Sequence, residues 1–196
     1  MDESKYRLSR SSETEFLRSQ LTAITDEDTT FIKERQQDLD MAHGIRLEVL
    51  PLDGCPSSRW KRKILLLWGL AYQIFINQEP PTSKGKILYG IGRVMLALAP
   101  GWRRRYRMAR VCERHMSKYP IRECEYVTEL CVRFNYMVNE YPKEIFESAV
   151  YKPFEGFEMP LPAGYETYLH MAFGDYMELP PEEQRVPSHA GGGIDV

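Results

Sequence analysis

Two sets of side chains in this sequence have the types and spacing to do chemistry. The first centres on Glu48, in the segment Gly44-Ile-Arg-Leu-Glu48-Val-Leu-Pro51-Leu-Asp53-Gly54. A mid-strand carboxylate can be one oxygen ligand of a hard divalent cation, which needs several such donors held together. It can equally form a strand-surface salt bridge with Arg46. The second set is a row of arginines, Arg103, Arg107, Arg110 and Arg114, at offsets of four, seven and eleven. On a helix these share one face, with Arg104 and Arg105 adding charge. Such a face can bind phosphate, a polyanionic glycan or acidic lipid, or it can be an ordinary solvated face.

Other candidates are weaker. Asp26/Asp28 and Asp38/Asp40 both have a D-x-D spacing that puts two carboxylates on one strand face. The first pair reads as turn chemistry and the second as a polar approach to Gly44. Cys112, His115, Cys124 and Cys131 could ligate zinc, but only Cys112-x-x-His115 is tightly spaced, and buried free thiols are the simpler reading. Gly90-Ile-Gly92 lacks the third glycine of a phosphate loop, no Gly-x-Ser-x-Gly elbow occurs, and the four histidines are scattered.

These groups must be positioned by recognisable elements. Lys5–Ser9 alternates as a strand. Leu21–Ile24 and Thr29–Ile32 flank Thr25-Asp-Glu-Asp28 as a hairpin would. In Gly44–Leu50, Ile45, Leu47 and Val49 point one way and Arg46, Glu48 and Leu50 the other, with Pro51 as the stop and Asp53-Gly54 as a turn. Helices are expected from Ser57 or Ser58 to Asn77, from Ile87 to Leu98 and from Trp102 to Tyr119. In the last helix Met108, Val111, Cys112 and His115 form the apolar side. Tyr126–Thr128 and Val150–Phe154 read as extended, Pro142–Glu147 as a short helix, and Tyr165–Phe173 as a helix closed by Gly174. The residues after Glu182 read as a frayed polar tail.

With 196 residues and a hydrophobic fraction of 43%, the chain can build one sizeable core. A net charge of −2 gives no support to nucleic-acid binding. The N-terminus lacks the apolar run of a secretory signal, so a cytoplasmic location is expected. Ile64–Ile76 is too short to span a bilayer and reads as a core helix or an interfacial one, so any membrane contact is peripheral.

The segment Tyr151-Lys-Pro-Phe154-Glu-Gly156-Phe-Glu-Met-Pro160-Leu-Pro-Ala-Gly-Tyr165-Glu-Thr-Tyr168-Leu, followed by Phe173-Gly-Asp-Tyr176-Met-Glu-Leu-Pro180-Pro, resembles the C-terminal signature of LicD/fukutin-like phosphotransferases of the nucleotidyltransferase superfamily. Gly44–Gly54 is similar to a strand of that family in which the carboxylate is usually Asp. The resemblance implies an α+β fold: a nucleotidyltransferase-like mixed sheet, incomplete at its N-terminal edge, with a helical insert. It implies a single domain over 1–196, with a sheet portion at 1–54, the insert at 55–120, the signature at 121–181 and a tail at 182–196. Glu48 would be the family's third acid and a ligand of Mg²⁺, and Tyr176, Arg185 and His189 would face the phosphoryl donor or acceptor. The donor would be a cytidine-diphosphate alcohol or similar nucleotide. The acceptor would be a cell-surface glycan such as lipopolysaccharide or teichoic acid, modified with phosphocholine or a related group. The family's aspartate pair would precede Met1, so little activity is expected of the isolated chain. The alternatives are a non-catalytic glycan- or partner-binding module, or one half of a split transferase with an N-terminal partner chain.

Overall fold

The apolar run after Ser57-Ser58 forms the longest helix, α1 (Arg59–Asn77), whose inner face buries Leu65, Gly69, Tyr72 and Ile76. Ser58 occupies the N-cap position with extended backbone but makes no side-chain capping bond. The structure, a computed structural model, describes residues 5–12, 14, 17, 19, 21–33, 43–81, 85–179, 181–185 and 191–195. After α1 come α2 (Gly85–Leu98) and α3 (Trp102–Met116). Pro100-Gly101 separates the last two, and Gly101 adopts a φ of 78° that favours glycine. α3 ends at Met116, one turn before the expected Tyr119.

α1 and α3 pack against each other along Leu65, Tyr72, Phe75, Ala109, Cys112 and Met116, which form the main core. Two arginines tie this helical layer down. Arg105 donates to the carbonyls of Ala99 (3.1 Å) and Leu96 (3.4 Å) and to Gln78 Oε1 (3.0 Å), satisfying the end of α2. Arg62 pairs with Glu140 at 2.8 Å and also donates to Cys55 Sγ and to the Val138 carbonyl.

The described strands form four small antiparallel sheets, whereas the resemblance implies one mixed sheet. β1 (Tyr6–Ser9), β2 (Thr22–Asp26) and β4 (Arg46–Val49) lie in the order β1-β2-β4. β3 (Thr30–Lys33) pairs with β10 (Gly191–Asp195). β5 (Asp53–Cys55), β6 (Tyr126–Thr128) and β7 (Tyr141–Pro142) form the third sheet, and β8 (Ala149–Phe154) with β9 (Phe157–Pro162) the fourth. Around the third sheet, Val127, Tyr141 and Ile145 make a second core that receives Tyr168 and Ala172 from α5 (Tyr165–Phe173). A short helix, α4 (Phe134–Met137), links β6 to β7.

Three expectations are corrected. β2 and β3 do not form a hairpin with each other, because β2 is already flanked by β1 and β4. The turn between them is nonetheless built by Asp26, whose Oδ1 accepts from the Asp28 amide at 3.1 Å. The tail is not wholly frayed, since 191–195 supply β3 with backbone partners. Asp53-Gly54 is a strand, not a turn. Gly54 is required there by close approach: a Cβ would lie 2.3 Å from the Tyr119 carbonyl oxygen. β9 follows a two-residue Glu155-Gly156 turn in which both residues have positive φ, the geometry of a tight hairpin. The alternation expected in β4 is present, and the structure shows which face is outward. Leu47 is 68% exposed in a row with Leu8 and Ile24, while Arg46 and Glu48 occupy the half-buried face beside buried Thr25 and Ala23.

Candidate functional site

β5 and α3 bring an acid and two members of the arginine row to the lining of one opening. Strand pairing of Asp53 with Thr128 holds its backbone, and the helix period brings Arg110, Glu113, Arg114 and Ser117 around the same opening. Together with Arg10, Ser11, Tyr72 and Tyr106 they line a cavity of about 420 Å³. Tyr106 closes one wall by donating from its hydroxyl to the Ser11 carbonyl at 3.3 Å.

Asp53 is 8% exposed. Burial pushes its carboxyl above the ordinary range. The Ser117 hydroxyl, which also reaches the Glu113 carbonyl at 3.1 Å, opposes that shift, and the Glu113 charge adds to it. Arg110 forms an ion pair with Glu113 one turn along. Asp53, Arg110, Arg114 and the Ser117 hydroxyl thus share the lining of one opening. The arginines suit phosphoryl oxygens, to which a planar guanidinium can donate two bonds at once.

The structure divides the expected site residues. Arg110 and Arg114 line the cavity; Glu48, Tyr176 and Arg185 are not among its lining residues. Arg103 is exposed, its guanidinium 5.3 Å from the Trp102 ring centre, and Arg107 is exposed on the same helix. Glu48 lies in β4 opposite Ala23, and its charge acts on Arg46. Burial lowers the Arg46 pKa, and its Nε and Nη2 have no hydrogen-bond partner among the described residues. Tyr176 is half-buried, edge-on to His170 with ring centres 5.5 Å apart. Arg185 is exposed after a 3₁₀ turn, Glu182–Gln184. His189, Asp38 and Asp40 lie outside the described residues.

The fit to a divalent cation can be tested on the donor set. Among the described residues no three His, Cys, Asp or Glu side chains gather to hold one. Glu48 has no gathered partner acids among those residues, and Asp38 and Asp40 lie outside them. The zinc alternative divides in the same way. Cys112 is buried in the core, its thiol pushed up to about 11 by burial, whereas His115 is exposed and stacks on Trp68 at 4.1 Å.

Two features were missed from sequence. The first is Asp53, which the sequence marks as a turn residue and the structure buries in β5. The second is Glu129, 6% exposed, whose carboxylate accepts from Tyr168 at 2.9 Å and from Tyr141 at 3.4 Å. Nothing in the Glu129 neighbourhood of the sequence signals this, because its partners lie 12 and 39 residues away.

Over 73 residues the chain is 41% identical to the lipopolysaccharide cholinephosphotransferase LicD of Haemophilus influenzae. That stretch covers 37% of this chain and 28% of the relative, so the match spans less than a third of the relative's length. The likeness supports kinship with the LicD family. No protein-family model matches the chain, and no solved structure matches it. Among the described residues no helix is long and apolar enough to cross a membrane.

Proposed function

We propose that this chain is the anion-binding portion of a LicD-like phosphotransferase, built on a nucleotidyltransferase-like fold and acting at a cell-surface glycan. The observation that carries this reading is the 73-residue likeness to a lipopolysaccharide cholinephosphotransferase. The cavity between β5 and α3 supports it, since it offers arginines and hydroxyls to phosphoryl oxygens. The donor is a cytidine-diphosphate alcohol. In the complete reaction a glycan hydroxyl oxygen bonds to the distal phosphorus, the bridging P–O bond breaks, and the nucleoside monophosphate leaves. Arg110 and Arg114 would hold the diphosphate, and Asp53 would orient a hydroxyl of the ligand. Tyr176, Arg185 and His189 would contact the acceptor side.

The isolated chain binds donor without turning it over. The second reading, a split transferase completed by another chain, is favoured by the sheet edges: β1 and β4 are outer strands whose far edges meet no further strand among the described residues. The test is to incubate purified protein with cytidine diphosphate choline, Mg²⁺ and de-acylated lipopolysaccharide and to follow release of cytidine monophosphate. No release is expected. Steady release that Glu48→Ala abolishes would overturn the reading of this chain as a binding portion.

A further inference from the structure

Helix α2 has the composition of a buried helix and the placement of a surface one. Its sequence, Gly-Lys-Ile-Leu-Tyr-Gly-Ile-Gly-Arg-Val-Met-Leu-Ala-Leu, contains two charges, both positive. Only Gly92 and Leu96 are buried. Ile87, Ile91, Val94 and Leu98, at helical spacing, form a stripe that faces away from the core, with Ile87 81% and Leu98 79% exposed. A 14-residue helix with such a stripe should be covered by something apolar.

The neighbouring α1 carries a second outward stripe. Trp60, Ile64 and Leu67 recur at helical spacing, and Trp60 is 75% exposed with the Lys63 ammonium 5.0 Å from its ring centre. Cations border both stripes: Arg59, Lys61 and Lys63 on α1, and Lys86 and Arg93 on α2, all exposed. Neither helix contains an acid, and α3 contains one, Glu113, already paired with Arg110.

This charge pattern selects the occupant. A second copy laid stripe against stripe would bring Lys86 and Arg93 of one chain beside the same cations of the other, with no acid on α2 to separate them. An anionic bilayer surface reverses the sign: apolar side chains enter the acyl boundary, the cations meet lipid phosphates, and Trp60 sits at the headgroup level. We infer that the outward faces of α1 and α2 dock the protein on an anionic lipid surface without crossing it. This inference does not depend on the proposed transferase reading, because it uses no residue of the cavity.

The full chain is sedimented with vesicles of phosphatidylglycerol or of phosphatidylcholine, and Trp fluorescence is followed in parallel. Binding to phosphatidylglycerol at least about tenfold tighter than to phosphatidylcholine is expected, weakened by salt and accompanied by a blue shift that W60F reduces. Ile91→Asp combined with Leu98→Asp should reduce binding by at least about tenfold while far-UV circular dichroism stays unchanged. Should that variant misfold, Lys86→Glu with Arg93→Glu leaves the apolar stripe intact and should still cut binding. Absence of vesicle binding, equal binding to both lipids, or binding that neither variant alters overturns the inference. So does a lipid-free dimer that the aspartate variant dissolves, which would assign the stripe to a second copy.

Discussion

Replacing Tyr168 by Phe removes one atom and tests how α5 is fastened to the third sheet. The Tyr168 hydroxyl donates to Glu129 Oε1 at 2.9 Å, and Glu129 is 6% exposed, so water replaces the lost donor poorly. What remains for that carboxylate is the Tyr141 hydroxyl, at a long 3.4 Å. A hydrogen bond to a charged, buried acceptor contributes about 1.5–3 kcal/mol. Tyr168 itself is only half-buried, which places the expected loss near the middle of that range, at about 2 kcal/mol. Urea denaturation at neutral pH should show it as a midpoint lowered by roughly 1 M with unchanged slope. Tyr141→Phe should cost less through Glu129, because its bond is longer. Asn139, which donates to the Tyr141 hydroxyl at 3.0 Å, also donates to the Met171 carbonyl at 3.3 Å and keeps that bond. Glu129→Gln removes the charge, so in that background Tyr168→Phe should cost about 1 kcal/mol less than alone. A Tyr168→Phe loss below about 0.5 kcal/mol, or no coupling to Glu129→Gln, would refute the reasoning.

Three further outcomes are expected. Asp53 has a folded pKa above its unfolded value, so the unfolded chain loses its proton first; stability is full below the unfolded pKa and falls as pH rises through the folded one. Asp53→Asn should therefore gain stability relative to the native protein as pH is raised from about 3 to 7, measured by urea midpoints across that range. Gly54→Ala should cost about 1–3 kcal/mol or more in thermal denaturation, because the obstructing atom, 2.3 Å away, is a backbone oxygen. Iodoacetamide at mildly alkaline pH should label Cys124 first and spare Cys112 and Cys131, whose thiols burial pushes up to about 11 and about 12; mass spectrometry of the digested protein reads the order.

Local periodicity carried the helices well. Ser57-Ser58, Pro100-Gly101 and Gly174 mark ends that the structure reproduces to within a few residues, since capping and breaking are decided by neighbours in sequence. Strand partners were not legible. Thr25–Asp28 has the residues of a hairpin turn, yet β2 pairs with β1 and β4, because pairing is settled by what else competes for each edge. The same holds for Gly44–Leu50. Alternation told that Leu47 and Glu48 face opposite ways, and only the sheet's surroundings put Leu47 outside. Of the site, the arginine row was visible as a helical stripe, but Asp53 and Arg114 are 61 positions apart in number and meet only through packing of α3 on the strand region.

Titration calorimetry of the purified chain with cytidine diphosphate choline tests the central claim most directly. Saturable binding is predicted, weakened at least about tenfold by Arg114→Ala and little changed by Arg107→Ala, which lies off the cavity. No saturable heat, or affinity that Arg114→Ala leaves intact, would contradict the account.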